Sequence, residues 1–458
     1  MTGTAETDDF QAKSQSFLAW LQQHGTTISP KIELADLRQD GCGRGVLAVQ
    51  DIEDDEELFS VPRTSILTIE TSTLPAEINA QINDPWLGLI TAMVLEHSKG
   101  EGSAWKAYFD VLPERFDTPM FWSEEELAWL RGSAVVDKIG RLSADKAFSE
   151  RVIPIIRQHP EVFGIADRSD DDLFALCHRM GSTIMAYAFD LEKPSAEQSR
   201  EEQDDGWEED EEESESMSKG MIPFADMLNA DGYLNNAKLY YEEDRVVMKS
   251  IKPIPAGGEI FNDYGSLPTG DVLRRYGYVT SNYSPYDVVE VSQQLIRDVA
   301  KEQLKLNDNL LEQRVHYLEE QGVLEDAYDV ARPGNEDVET ISEELCILVN
   351  ALTMSQTDFD KLQTKEKLPK PVLATASAEL LTFVLRKRQV AYATDDSSNA
   401  ALAKTTSPHR WSMAYRVVEG ERQVLIDVLE TLKKLSQPTG EKRKADVDSG
   451  SMKKKQRG

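Results

Sequence analysis

Apolar residues recur at helical spacing near the start of the chain. Phe10, Phe17, Leu18 and Leu21 share one face, with Asp9 before them and Gly25 after. This pattern predicts a helix capped by Asp9 and stopped at the glycine. The period then shortens: residues 46–52 and 57–61 read as short strands separated by an acidic turn. From about 84 to 190 the pattern is mostly helical, punctuated by Pro85, Pro113 and Pro154. Strands return at 237–242 and 245–251, joined by the two-residue turn Glu243-Asp244, a hairpin signal. Residues 255–258 (PAGG) form a turn before a short strand at 259–262. From about 293 to 436 helical spacing dominates, with helices expected at 341–362, 372–393 and 411–435.

The order is therefore strands, a helical insertion, more strands, then helices. It predicts an α+β fold of small β-sheets interrupted by a helical insertion and followed by an all-α C-terminal domain. The expected boundaries are an N-terminal helix over 1–28 and a β-containing domain over 29–285, with its insert at about 70–190. A helical domain over 286–438 and a basic tail over 439–458 follow.

Composition refines this layout. The chain has 458 residues, 40% of them hydrophobic, which suits two domains with sizeable cores. No apolar run reaches the length of a membrane span, and the polar, acidic N-terminus lacks the features of a signal peptide. Cys42, Cys177 and Cys346 lie far apart, and the six histidines form no HxxxH or HExxH pair, so no metal site is expected.

The net charge of −32, from 82 acidic and 50 basic residues, argues against direct nucleic-acid binding and favours basic partners. Much of it is concentrated: eleven of the fifteen residues from 201 to 215 are Asp or Glu. Such a run, within a loop expected at about 194–219, reads either as a solvated insertion or as a docking strip for a basic substrate. The tail carries Lys442-Arg443-Lys444 and Lys453-Lys454-Lys455, a pattern that fits a bipartite nuclear-import signal or a merely soluble basic tail.

Four segments carry chemistry only when taken together. They are GCGRG (41–45) before a strand, IPFADMLNAD (222–231), GGEIFNDYG (257–265) and VLRRYGYV (272–279). The glycines of the first permit close backbone approach to a ligand, but its spacing is not that of a dinucleotide fingerprint. Each segment alone has an ordinary account as a turn, a strand end or a helix.

In this order, and with WKAYFDVLP (105–113) and PMFW (119–122) in the insert, the set resembles the SET-domain protein-lysine methyltransferases. It is most similar to the branch with a Rubisco-methyltransferase-type helical domain, and within it to the fungal ribosomal lysine methyltransferases. The resemblance spans about residues 17 to 436. It implies transfer of a methyl group from S-adenosylmethionine, without a metal, to a lysine of a basic protein.

By the same resemblance Cys42, Gly43 and Arg44 hold the methyl donor mainly through backbone. Asn229 binds its methionine part, Ala230 stands where the family usually has a histidine, and Tyr276 lines the adenine side. Tyr264 is the implied catalytic residue, and Trp105, Tyr187 and Asn262 are implied to line the lysine channel. The implied substrate is a large-subunit ribosomal protein, with a histone or nuclear regulatory protein as the alternative. A non-catalytic module of the same fold is the other reading. The helical C-terminal domain is implied to bind substrate, though an oligomerisation surface would read the same way. A monomer acting in the nucleus, and also in the cytoplasm, is expected.

Overall fold

The computed structural model describes residues 3–40, 42–165, 167–191, 218–335, 338–392 and 407–436. The acidic run 201–215 and the two basic clusters of the tail lie outside the described residues. Contacts divide the chain into two compact units. The first comprises Met1–Leu130, Val135–Ser284 and Leu402–Arg416; the second comprises Arg131–Ala134, Pro285–Ala401 and Val417–Gly458.

The first unit opens with the helix Gly3–Gln23, which begins earlier than expected. Asp9 is inside this helix, one turn from Lys13, with which it forms an ion pair at 3.0 Å, so it is not the cap. The strands β1 (Thr27–Ile28), β2 (Ile32–Asp36), β3 (Arg44–Ala48) and β4 (Glu57–Pro62) follow. β2 and β3 pair antiparallel, from Ile32 opposite Ala48 to Asp36 opposite Arg44. The insert contributes the long helices Pro85–Ser98 and Asp170–Tyr187. Asp84 caps the first by accepting from the Leu87 N–H at 2.9 Å, and a Ser169/Asp172 capping box starts the second.

The strands β5 (Ala188–Leu191) and β6 (Ser218–Met221) then pair antiparallel. Neither alternates clearly enough to be read from sequence, and each partner lies beyond the acidic run. After β7 (Asn229–Ala230), β8 (Ala237–Tyr241) and β9 (Arg245–Ser250) form the expected hairpin, closed by a hydrogen bond from Glu242 N to Arg245 O. One sheet has the order β1-β4-β9-β8. Insert and strands share one core: Leu89, Met93 and Tyr108 pack in the same cluster as Phe17, Val46, Phe59, Phe224 and Val246. Roughly 1.5–3 kcal/mol accompanies full burial of each large apolar side chain. The insert is therefore part of this unit's stability and not an appendage.

The expected strand over 259–262 shrinks to β10 (Phe261–Asn262). Its upstream residues bond to β3 instead, with Ile260 N donating to Val46 O and Ala48 N to Gly258 O. β10 itself lies parallel to β7, Phe261 opposite Asn229 and Asn262 opposite Ala230.

The second unit is mainly helical but not wholly so. β11 (Val288–Ser292) and β12 (Ala327–Ala331) form an antiparallel pair where helix was expected, because Tyr328 and Val330 are buried on one face of a two-residue period. The single helix expected over 341–362 is two, Glu343–Thr353 and Gln356–Thr364. Met354 is extended and Ser355 caps the second helix, accepting from Asp358 N at 3.2 Å. The helices Thr375–Val390 and Pro408–Ser436, the latter counted to this unit only from Val417, cover the remaining two expected segments nearly in full. This unit has its own core, including Val291, Leu318, Leu348, Leu381 and Leu425.

Candidate active site

The parallel pair β7–β10 brings two of the four motif segments side by side. Asn236, which sequence reasoning missed, fixes the second of them. Its Nδ2 donates to Glu259 O at 2.8 Å, and its Oδ1 accepts from Phe261 N at 2.8 Å. Just beyond β10, Asp263 Oδ1 accepts from Gly265 N at 2.7 Å, which holds the turn around Tyr264. Asn262 is buried, and its carbonyl accepts from Asp231 N at 3.3 Å. Asp231 in turn accepts from Asn282 Nδ2 at 2.6 Å.

Tyr264 lies against Tyr276, with ring centroids 4.1 Å apart and planes 12° from parallel. Tyr276 ends the helix Thr269–Tyr276, and Gly277 terminates it at φ +76°. A Cβ there would come within 2.9 Å of Thr118 N, so both the backbone angle and the close approach require glycine. Tyr278 follows, its ring 6.3 Å from that of Tyr276 and its hydroxyl donating to Ala230 O at 3.4 Å. Burial raises the Tyr264 hydroxyl well above the usual phenol range, and Tyr276, Tyr278, Tyr187 and Tyr283 reinforce this. Those four tyrosines therefore lie within electrostatic reach of Tyr264. Tyr187, at the end of the helix Asp170–Tyr187, is pushed up to about 12 by burial and by Asp226. The hydroxyls of Tyr187, Tyr264, Tyr278 and Tyr283 stay protonated at neutral pH.

The glycine turn meets Asn229 from the other side. Asn229 Nδ2 donates to Glu259 Oε1 at 2.7 Å, and Gly45 lies directly beside that pair. A Cβ on Gly45 would stand 2.4 Å from Leu37 Cδ1, 2.9 Å from Glu259 Oε1 and 3.0 Å from Asn229 Nδ2. We expect Gly45→Ala to lose roughly 1–3 kcal/mol through overpacking and to displace Asn229. A fall in Tm together with weakened binding of S-adenosylmethionine, measured by calorimetry, is the expected result; an unchanged Kd would refute the displacement.

Around Gly43 there is open space: an added Cβ would meet nothing within 4 Å. The Cys42 N–H and the Gly43 carbonyl close the turn locally, through Leu37 O at 3.1 Å and Leu37 N at 2.9 Å. Only part of this backbone thus faces outward. The Arg44 side chain turns to the N-terminal helix and the insert, over the Phe10 ring at 3.9 Å and donating to Ser14 Oγ and Val111 O. Burial first, and Arg38 second, lower its pKa to about 10, so it remains charged at neutral pH.

Trp105 is not in this group. It is buried against Trp20 (5.5 Å between centroids) and Tyr108 (6.4 Å), and among the described residues none of its ring contacts is with Tyr264 or its neighbours. Its ring packs the N-terminal helix onto the insert, which the motif WKAYFDVLP alone did not disclose.

A further residue does belong near the tyrosines. Asp226 is buried on the turn Ala225–Met227; one carboxylate oxygen accepts from the Tyr108 hydroxyl, and Oδ1 has no hydrogen-bond partner among the described residues. Burial pushes its pKa up to about 7, with the Tyr108 hydrogen bond opposing the shift. The turn is held by Phe224, fully buried at φ +81°, a backbone state that non-glycine residues rarely adopt. Strain of this kind persists where surrounding structure imposes it and gathers at functional sites. The available signal was one acidic residue inside the otherwise apolar run IPFADML.

This arrangement meets its relatives at the sequence level. Residues 43–265 match the family model of the SET domain. Over 368 residues the chain is 35% identical to ribosomal lysine N-methyltransferase 4 of Saccharomyces cerevisiae, spanning 76% of this chain and 72% of that protein. It is 30% identical to the N-lysine methyltransferase SETD6 of Bos taurus over 78% of each chain. Among solved structures, Rubisco LSMT bound to AdoMet superposes with a TM-score of 0.66 over 93% of this chain and 92% of that one, at 18% identity, a likeness of fold. The chain belongs to the SET-domain protein-lysine N-methyltransferases, and its fold and enzyme class follow from that membership.

Proposed function

We propose that the protein transfers methyl groups from S-adenosylmethionine to a lysine of a large-subunit ribosomal protein. The observation that carries the reading is the meeting of Gly45, the Asn229–Glu259 pair and the stacked Tyr264–Tyr276 around the β7–β10 pair. The open space beside Gly43 fits a ligand held by the outward backbone of Cys42, Gly43 and Arg44. Asn229 and Ala230 would bind the same ligand, and Tyr276 would flank its flat part. When bound, S-adenosylmethionine supplies an electrophilic methyl group.

The protein's own task is alignment. Methyl transfer to an amine is an in-line displacement: the amine nitrogen forms a bond to the methyl carbon as the carbon–sulfur bond breaks. Correct orientation can contribute roughly 7–11 kcal/mol. Tyr264 positions the methyl group, offering its hydroxyl oxygen as acceptor of weak C–H···O contacts worth about 0.5–1 kcal/mol each. Because its own proton is held tightly, it is not the base.

The lysine must arrive neutral, which at about pH 7.4 costs roughly 4 kcal/mol in water. The tyrosine lining disfavours the charged amine and so lowers that cost. Tyr187 and Asn262 line the lysine's path in this reading, and Asp226, within electrostatic reach of Tyr187, has an Oδ1 without a hydrogen-bond partner among the described residues.

A basic ribosomal protein suits a chain of net charge −32, and the Saccharomyces cerevisiae relative bears that substrate in its name. The basic clusters of the tail support action in the nucleus, and we read the enzyme as a monomer. The test is mass spectrometry of proteins methylated by the purified enzyme in an extract lacking it. A labelled large-subunit ribosomal protein is expected, and label on histones alone would reject this substrate.

A further inference from the structure

The insert of the first unit holds a cavity of about 700 Å³ whose lining has the opposite character from the chain as a whole. Four arginines, Arg115, Arg168, Arg179 and Arg410, face it against two acids, Glu114 and Asp172, in a protein with 82 acidic and 50 basic residues. Two of the four are engaged. Arg410 binds Asp117, Glu126 and the Phe121 carbonyl, and Arg179 donates to Pro113 O and to His97 Nε2, each at 3.3 Å. Arg115 and Arg168 are exposed, and among the described residues neither side chain forms a hydrogen bond or ion pair.

His97 adds a neutral donor. Burial, with Arg179 and Arg168, lowers its pKa to about 4, so it is uncharged at neutral pH. Since Nε2 accepts from Arg179, its proton lies on Nδ1, which is buried with no acceptor among the described residues. One wall is the parallel pair Phe116–Phe121, with centroids 6.0 Å apart. Phe116 also borders the tyrosine group: its ring is 6.5 Å from that of Tyr187. The cavity is thus one aromatic contact from the proposed lysine path.

We infer that this cavity is a subsite for an acidic side chain of the protein substrate, bound by Arg115 and Arg168 while the target lysine approaches Tyr264. The inference rests on the methyltransferase reading above. Guanidinium groups recognise carboxylates through paired hydrogen bonds, and the apolar Phe wall strengthens such a pair over one in open water. An extended peptide advances about 3.3 Å per residue, so the acidic residue falls roughly two to four positions from the lysine. A protein that is basic overall can carry one such residue. The subsite would choose among its many lysines.

The test uses the full-length enzyme and a peptide array with one central lysine, each flanking position varied among Glu, Gln and Lys. Glutamate at one or two positions should raise kcat/KM about tenfold over glutamine, about 1.4 kcal/mol, through KM. The Arg115→Gln/Arg168→Gln double variant should lose that preference while methylating the glutamine peptides as the wild type does. On purified ribosomal proteins the double variant should show a KM about tenfold higher at unchanged kcat. Label without a glutamate preference, a preference that survives in the double variant, or an unchanged KM on the ribosomal proteins would each overturn the subsite alone. Silence of the wild-type enzyme on both array and ribosomal proteins would overturn the ribosomal-substrate reading beneath it.

Discussion

Replacing Tyr264 by phenylalanine should lower kcat on the order of 10²-fold while leaving the Kd for S-adenosylmethionine within about twofold. The two rings of the Tyr264–Tyr276 pair, 4.1 Å apart, survive this change, so the adenine side of the site keeps its shape. Only the hydroxyl is lost, and with it an oxygen that orients the methyl group. Misplacement of reacting atoms by about 1 Å is enough for a loss of that size. Contacts made only in the transition state lower kcat and kcat/KM together, and single-turnover kinetics read out both. If the variant methylated at the wild-type rate, Tyr264 would have no part in the chemistry. The pH profile gives a second check. Burial and the neighbouring tyrosines hold the Tyr264 proton well above the usual phenol range, so no ionisation of this residue should appear in the rate between pH 6 and 9.

The second large effect concerns Asp226. Its folded pKa of about 7 lies above the unfolded carboxyl value, so the folded state binds the proton more tightly. Stability from this group is fully present below about pH 4, declines as pH rises, and reaches its full penalty above about pH 7. Each pKa unit corresponds to about 1.4 kcal/mol, which makes the penalty on the order of 4 kcal/mol. Asp226→Asn removes the charge at nearly constant shape and keeps an acceptor for the Tyr108 hydroxyl. Its Tm should exceed that of the wild type at pH 8.5, and the difference should close towards pH 5. The same variant should raise the KM for the protein substrate about tenfold, because an acceptor oxygen of the residue that acts electrostatically on Tyr187 becomes an amide donor or is turned away. A Tm difference independent of pH would show that the Asp226 pKa is not raised in the folded protein. An unchanged KM would remove it from the substrate's path.

These two residues differ in how far the sequence discloses them. Tyr264 is legible because EIFNDYG stands in order with Asn229 and Tyr276, a set that resembles the SET-domain methyltransferases. Asp226 stands in the same motif as Asn229, yet its role depends on burial, on Tyr108 more than a hundred residues earlier, and on the strained turn at Phe224. Trp105 shows the reverse. Its motif is recognisable, but the partner that decides its use, Trp20, lies in a different helix.

By itself the sequence determined where helices and strands alternate, since the period of apolar residues sets which local structure can bury one face. It also determined the family, through four short motifs in order. The tertiary structure decided the rest. It turned the expected strand at 259–262 from β3 to β7, supplied β5–β6 from segments without a clear alternation and β11–β12 within the expected helical domain, and divided the helix expected at 341–362 at Ser355. It also brought Gly45 against the Asn229–Glu259 pair and left two arginines of the insert facing a cavity, without side-chain partners among the described residues. Pairing, close approach and burial depend on residues far apart in the chain. No local pattern encodes them, and the chemistry of Asp226 and of the Tyr264 hydroxyl follows from them.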